Sequence, residues 1–419
     1  MSYLTASGKG ALDTVMSSLS FADKACRLCI TASTVDFDNE LIRWCELEGF
    51  DTTFIPYNYD DRHYIHELNA LKQELRVTES YAVIGFGDAA AFCLEHFLKV
   101  TNTSKLCALI AYYPSRIPDP ECSYASSMRV LVHLADQTVQ VLSASHGTDH
   151  KRHIVKRRVG AGQGTGDRLD FAYTAYSYPG ISPGFAESDL DNYDPVATEI
   201  AWTRTLSVLQ SGFQKHLDLE KTWEGIEQVT SGVDGFEEKY FSSDMSTAMT
   251  NYTTEETPTV TYIPTLKGAS GIQALHQFYK TSFLQGRPPS MRLRLLSRTI
   301  GADRVVDELY VAFKHTQEMP WILPGLEPTD RQVEIVLVSI VTLRGGKLYS
   351  EHIYWDQASV LVQVGLIDRN SVPEQAKGIT ALPIIGREAA KKILLHDKEE
   401  NIERKTASMA AQVDGSDIH

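Results

Sequence analysis

Residues 81–92 read YAVIGFGDAAAF: an apolar run, two glycines within three positions, then a run of small helix formers. Tyr81 to Ile84 is predicted as a buried strand, Gly85 and Gly87 as a sharp turn, and Ala89 to Val100 as a helix. Strand, turn and helix together have the shape of a nucleophile elbow, which holds a Ser or Cys between two small residues at the edge of a sheet. Gly85 and Ala89 supply the small flanks, and Gly87 stands at the central position. Glycine has no side chain to attack a carbonyl, so the shape is present without its nucleophile.

Outward from this turn the same grammar continues. Strands are predicted at Ala25 to Ala32, Thr52 to Ile55, Lys105 to Tyr112, Met128 to Leu134 and Ala172 to Tyr176, with helices over Phe37 to Glu48 and His66 to Leu75. Pro195 to Leu209 reads as a closing helix, with Asp194 as its N-cap and Pro195 at the first helical position. Such alternation predicts a doubly wound, mostly parallel sheet with helices on both faces.

From about Cys26 to Phe213 the chain resembles the dienelactone hydrolase family of α/β-hydrolases. The segment YPGISPGF, Tyr178 to Phe185, is similar to that family's Y-P-G-x-x-H-G-F segment, and Pro183 stands where the family has its catalytic His. The following DNYDPVATEIAWTRTL, Asp191 to Leu206, is similar to the family's terminal helix. Asp136, in the loop after the Met128 to Leu134 strand, is the remnant of the triad acid that the resemblance implies. With nucleophile and base both replaced, the resemblance implies a retained scaffold in which general-base activation of a nucleophile cannot operate. Asp88 lies one place past the turn and would still need a base to activate water, and Cys93 is expected to face the core. An ester or lactone hydrolase with an unconventional nucleophile is the rival reading.

Other features of this half carry less. In VGAGQGTGD, Val159 to Asp167, glycine recurs every second residue, which does not meet the dinucleotide spacing G-x-G-x-x-G, so a loop is expected. His146, Asp149, His150 and His153 form a loose polar cluster without metal-ligand spacing. The basic run Lys151 to Arg158 is expected to be a solvated loop. Cys26, Cys29, Cys45, Cys93, Cys107 and Cys122 are scattered through apolar segments and read as buried free thiols.

The whole chain has 419 residues and a formal net charge of -14. Its length favours two domains, and its charge excludes a nonspecific grip on nucleic acid unless basic residues are strongly segregated. No apolar stretch reaches the roughly 18 residues that span a bilayer, and no secretory leader is evident. A cytoplasmic protein with no membrane partner and no nucleic acid partner is therefore expected. The domains are placed at 1–218, 219–370 and a tail at 371–419, whose last dozen residues are expected to be disordered.

After Gln210 the grammar changes to helices first and long strands afterwards. Trp223 to Phe241 and Gly271 to Phe283 are predicted helical; Arg292 to Thr299, Arg304 to Thr316, Arg331 to Leu343 and Lys347 to Trp355 are predicted strands, the last two joined by an Arg-Gly-Gly-Lys hairpin turn. Helices on one side of a bent antiparallel sheet give an α+β cone with a cavity at its open end. YIPTLKGASGIQALHQFY (262–279), DRVVDELYVAFKHT (303–316) and EHIYWDQASVLVQVGL (351–366) carry a resemblance to the SnoaL-like branch of the NTF2-like superfamily. That resemblance implies cofactor-independent, metal-free acid/base chemistry on a polyketide-like or aromatic ligand, such as dehydration, isomerisation or cyclisation, and a homodimer paired through the open sheet face. Its other members include plain binding modules, so a non-catalytic ligand-binding protein is the second alternative.

Strand periodicity selects candidate residues. From Arg304 onward, Asp307, Leu309, Val311, Phe313 and His315 point one way, a mostly apolar set with an ionisable group at each end, as a pocket wall requires. On the last strand Glu351, Ile353 and Trp355 alternate with His352, Tyr354 and Asp356; either set could face the cavity, and the second is favoured. Asp307, His315, His352 and Asp356 are thus the candidate acids and bases, and Tyr262, Phe313, Trp321, Tyr354 and Trp355 the candidate ligand contacts. Within EMPWILPGLEP, 318–328, the apolar side chains Trp321, Ile322 and Leu323 suggest an exposed lid or partner contact.

Overall fold

The computed structural model describes residues 26–73, 75–136, 138–143, 153–158, 166–215, 217–224, 252–254, 257–373, 376 and 378–394. The chain divides into two compact units, Met1–Leu217 and Asp218–His419.

In the first unit the order is β1 (Arg27–Ala32), α1 (Asn39–Leu47), β2 (Asp51–Pro56), α2 (Asp61–Gln73), β3 (Tyr81–Phe86), α3 (Gly87–His96), β4 (Leu106–Tyr112), β5 (Arg116–Pro118), β6 (Arg129–Ala135), β7 (Thr138–Ser143), β8 (His153–Arg158), β9 (Asp167–Arg168), β10 (Thr174–Tyr178) and α4 (Pro195–Phe213). The main sheet runs β2-β1-β3-β4-β6-β10-β9, parallel except for β9 at its edge. Strands β3 and β4 are buried along their whole length, which is why they read as continuous apolar runs instead of alternating ones. Successive residues of β3 enter different cores. Ala82, Ile84 and Phe86 pack with Trp44 of α1 and Trp202 of α4, while Tyr81 and Val83 pack with Tyr64 and Leu68 of α2 and Leu94 of α3. Helices therefore cover both faces of this α/β unit. Asp194 caps α4 by accepting from the Ala197 N–H at 2.8 Å.

One expectation is overturned here. The basic run to Arg158 is not a loop where it is described: residues 153–158 form β8, antiparallel to β7 in a small sheet ordered β5-β7-β8. Ile154 and Val155 in its middle favour a strand, and basic side chains suit an edge. His146, Asp149, His150 and the glycines at 160, 162 and 164 lie outside the described residues.

The second unit contains α5 (Leu219–Glu224), β11 (Thr259–Tyr262), β12 (Lys267–Ser270), α6 (Ile272–Phe278), a π-helical turn (Tyr279–Leu284), β13 (Arg292–Ile300), β14 (Arg304–Lys314), β15 (Gln332–Arg344), β16 (Lys347–Trp355) and α7 (Gln357–Gln363). Its sheet is ordered β12-β11-β16-β15-β14-β13, an α+β arrangement. The β15–β16 hairpin turns through Gly345 and Gly346, at φ 55° and 74°, the left-handed pair that a tight two-residue turn requires. The sheet is not wholly antiparallel: β11 lies parallel to β16, to which the chain returns only after β12, α6 and the strands β13 to β15. Of the helix expected over 223–241, only Trp223 and Glu224 are described. In the expected tail, residues 387–394 are helical, Gly386 N–H donates to Ser359 Oγ at 3.1 Å, and Ala390 is buried. This part packs on the second unit, and residues 395–419 lie outside the described ones.

Candidate functional site

Cross-strand register builds the inner face of the second sheet. One row of directly paired residues runs Arg298, Asp307, Ser339, Ile353, Tyr262. The next runs Val305, Val341, Glu351, Val260. Side chains in such rows share one face, and burial agrees: Asp307, Leu309, Val311, Phe313 and His315 are all buried, as the alternation on β14 predicts.

On β16 the structure reverses the favoured assignment. Glu351, Ile353 and Trp355 are buried, whereas His352, Tyr354 and Asp356 are exposed. The set containing Ile353 and Trp355 has more apolar area to bury, so it takes the inward face. Asp356 has another task. It is the N-cap of α7, accepting from Ser359 N–H at 3.3 Å and Ser359 Oγ at 2.5 Å.

A cavity opens between these rows and the helices, walled by Tyr262, Phe283, Met291, Leu309, Leu337 and Trp321, with Glu351 and Ser339 as its polar groups. Glu351 is 1% exposed. Ser339 Oγ donates to its Oε1 at 2.7 Å. Burial first, and then the neighbouring Glu351 carboxylate, push the Tyr262 phenol well above its ordinary pKa. Tyr252 and Tyr279 are raised chiefly by burial too, with Glu351 contributing to both. Tyr262 thus stays protonated and can donate a hydrogen bond. The side chains close the cavity to about 20 Å3, room for about one water. Among its walls, unbranched Met291 is the side chain that repacks most readily.

Asp307 does not line this cavity. Its carboxylate takes Arg298 Nε at 2.6 Å and Nη2 at 3.0 Å, and Trp223 Nε1 at 2.8 Å. Arg298 also reaches Glu224 at 2.5 Å. Although burial opposes the guanidinium charge, these carboxylates raise the Arg298 pKa further. Asp307 is therefore a structural ion-pair partner and not a free acid. His315 is also removed from the cavity: its Nδ1 accepts from the Thr329 N–H at 3.2 Å, fastening the far end of the β14–β15 connection, and burial lowers its pKa. Phe313 is core without reaching the cavity. Trp355 meets Tyr262 edge-on, at 6.1 Å between ring centroids, and donates to Gln357 Oε1 at 2.6 Å.

The 318–328 loop is not an exposed lid. Met319, Trp321, Ile322 and Leu323 are buried. Thr265 Oγ1 donates to the Trp321 carbonyl at 2.7 Å and Gln357 Nε2 to that of Ile322 at 2.9 Å. Its apolar residues fold inward because the unit has an aromatic cluster to receive them, with Trp321 5.5 Å from Tyr262 and 5.6 Å from Phe283. Of the expected ligand contacts, Tyr262 and Trp321 line the cavity. Sequence reading left Glu351 among alternatives and did not single out Ser339; the apolar company of Glu351 and the cap pattern Asp356-Gln-Ala-Ser359 were the available signals.

In the first unit the turn after β3 has the expected geometry. Gly87 has φ 56°, and a Cβ placed on it would meet nothing within 4 Å. Asp136 and Pro183 line one cleft, of about 200 Å3, together with Tyr113 and Ser115. The Ser115 N–H donates to the Gly87 carbonyl at 3.4 Å. Asp88 accepts from Tyr59 Oη at 3.0 Å. Cys93 contacts Tyr64 Oη at 3.4 Å, and burial pushes its thiol up to about 12, which suppresses thiolate chemistry.

Among the described residues no group of His, Cys, Asp and Glu is arranged to hold a metal ion, and no helix is long and apolar enough to cross a membrane. No family model matches the sequence, and no curated protein matches it either. Several solved structures are similar to part of the chain. A protein of Shewanella putrefaciens CN-32 described as a SnoaL-like polyketide cyclase is 14% identical, covering 38% of this chain and 92% of its own, at a TM-score of 0.28. A protein of the same description from Jannaschia sp. CCS1 is 14% identical over 40% of this chain and 94% of its own, at 0.26. A Catenulispora acidiphila protein with a ketosteroid isomerase-like fold is 12% identical over 37% and 98%, also at 0.26. The architecture of the second unit rests on its own strand order and not on these likenesses.

Proposed function

We propose that the second unit catalyses cofactor-independent proton transfer on an apolar, ring-containing small molecule, with Glu351 as the base and the Tyr262 hydroxyl as hydrogen-bond donor. The observation that carries this reading is a carboxylate buried at 1% exposure in the wall of a mostly apolar cavity. A carboxylate in such a wall can act as a general base on a ligand that comes within hydrogen-bond reach of it. In the proposed step Glu351 takes a proton from carbon next to a carbonyl, and Tyr262 donates to the carbonyl oxygen as negative charge develops there. Glu351 then returns the proton to the same carbon or a conjugated one, which gives exchange or isomerisation; giving it instead to a β-hydroxyl that leaves as water would give dehydration, and to the oxygen of a second carbonyl in the same molecule whose carbon the carbanion attacks, cyclisation.

The test uses the full chain and 2-tetralone in D2O, with exchange of its α-protons followed by NMR. Wild type is expected to accelerate exchange. Glu351→Gln is expected to lose about 10²–10⁴-fold of that acceleration while still binding the probe. Exchange in Glu351→Gln as fast as in wild type would sink the assignment, and binding by wild type without exchange would replace it with a binding protein.

A further inference from the structure

The wall of the second unit's cavity carries a polar group that the proposed proton transfer does not use. Trp321 lines the cavity and is 1% exposed, and its buried indole Nε1 has no hydrogen-bond partner among the described residues. A buried Trp N–H ordinarily finds an acceptor, and one left without bears the full desolvation penalty of the group. Two other tryptophans of the unit follow the rule. Trp355 Nε1 donates to Gln357 Oε1 at 2.6 Å and Trp223 Nε1 to Asp307 Oδ2 at 2.8 Å.

The indole of Trp321 is also held in place. Its backbone carbonyl accepts from Thr265 Oγ1 at 2.7 Å, and the rings of Tyr262, Phe283 and Trp355 lie at 5.5, 5.6 and 5.9 Å between centroids. A donor fixed by packing is oriented before a ligand arrives, so an acceptor that meets it loses little further freedom. A site with a fixed buried donor discriminates against a ligand that lacks the matching acceptor, because the donor then stays unpaired. An acceptor set elsewhere on the ligand is penalised as well, since it is desolvated without gaining a partner.

On the reading that this cavity is the ligand site, we propose that its ligand carries a second hydrogen-bond acceptor, an oxygen or a ring nitrogen, set on the ring system apart from the carbonyl that Tyr262 takes, and that the Trp321 Nε1–H binds it. Trp321 is then a specificity-determining residue that takes no part in moving the proton.

The test is ligand-observed NMR on the full chain with 2-tetralone and the four aza-2-tetralones in which nitrogen replaces one aromatic C–H, under alkaline conditions that keep the nitrogen unprotonated. The replacement keeps the shape and adds one acceptor. One of the four is expected to bind about tenfold tighter than the other three, because only its nitrogen meets the indole. Trp321→Phe, which keeps an aromatic wall without the N–H, should erase that preference while still binding 2-tetralone; its fold is checked by melting temperature. A second readout needs no variant: among the indole N–H signals of the five tryptophans of the wild type, one should move downfield with the preferred probe and not with 2-tetralone. Glu351→Gln should keep the preference, so a loss of exchange with the preference intact would break the proposed base and leave this inference standing. Equal or absent binding of the four probes, an unchanged preference in Trp321→Phe, or the lack of any indole signal that moves would each overturn the inference. Failure of the wild type to bind 2-tetralone would overturn it together with the reading it rests on.

Discussion

The two units treat their buried ionisable groups differently. In the first, His133 is enclosed on both sides: Nδ1 meets Tyr178 Oη at 3.0 Å and Nε2 meets Thr205 Oγ1 at 3.1 Å. Thr205 in turn meets Tyr112 Oη at 2.8 Å, and Arg204 donates to Tyr178 Oη at 3.0 Å. In the second, Asp307 is held by Arg298 and Trp223, while Glu351, on the same inner sheet face and bonded by Ser339, lines a small cavity. Burial alone does not make a group reactive. What separates His133 and Asp307 from Glu351 is position: Glu351, although Ser339 donates to it, also lines the small cavity, which Asp307 does not.

The sharpest way to break this contrast is pH. Burial first, and the Arg204 charge second, depress the His133 pKa to about 3, below the roughly 6.5 of an unfolded chain. The unfolded state then binds more protons between these values, so stability is complete above about pH 6.5 and falls as pH drops toward 3. At about 1.4 kcal/mol per unit the loss approaches 5 kcal/mol across that window. Thermal melting from pH 7 to 4 should show a steeper decline in wild type than in His133→Gln; equal slopes would mean that His133 is not held neutral.

Next in size is Asp307→Asn, which strips the bidentate carboxylate from an arginine whose side chain is 5% exposed and leaves it Glu224 as charge partner, so that the full one-sided cost is an upper bound. Breaking a buried pair from one side costs about 3–5 kcal/mol, read as a lower urea midpoint. Glu351→Gln, by contrast, should leave the midpoint nearly in place. If the stability loss fell on Glu351→Gln and spared Asp307→Asn, the division between the two carboxylates would be reversed.

The smallest effect concerns the vacant turn tip. Gly87→Ser forces a side chain onto φ 56°, a left-handed conformation that costs about 1–2 kcal/mol, but it meets no steric obstacle. The variant should fold with that modest loss and gain no esterase activity, because Pro183 provides no base. A gain of p-nitrophenyl acetate turnover would show that another group in the cleft can activate the hydroxyl.

Local sequence was sufficient wherever one pattern dominated. Alternation between apolar runs and amphipathic segments marks the parallel sheet, the helix cap at Asp194 is readable from Asp followed by Pro, and period-two burial on β14 follows from Leu309, Val311 and Phe313. Glycine at position 87 and proline at 183 likewise bring no side chain that could act as nucleophile or base, which needs no fold to see. On β16 both alternating sets carry aromatic and titratable residues, so periodicity cannot choose a face. Packing chose it, by burying Ile353 and Trp355 and leaving Asp356 to cap a helix. Register across β13 and β14 brought Arg298 to Asp307 from a separate strand, and an aromatic cluster drew residues 319–323 inward. The chain itself fixed its elements through near-neighbour chemistry. Which carboxylate is enclosed and which borders a cavity depends on partners from other strands, and only the folded sheet brings those together.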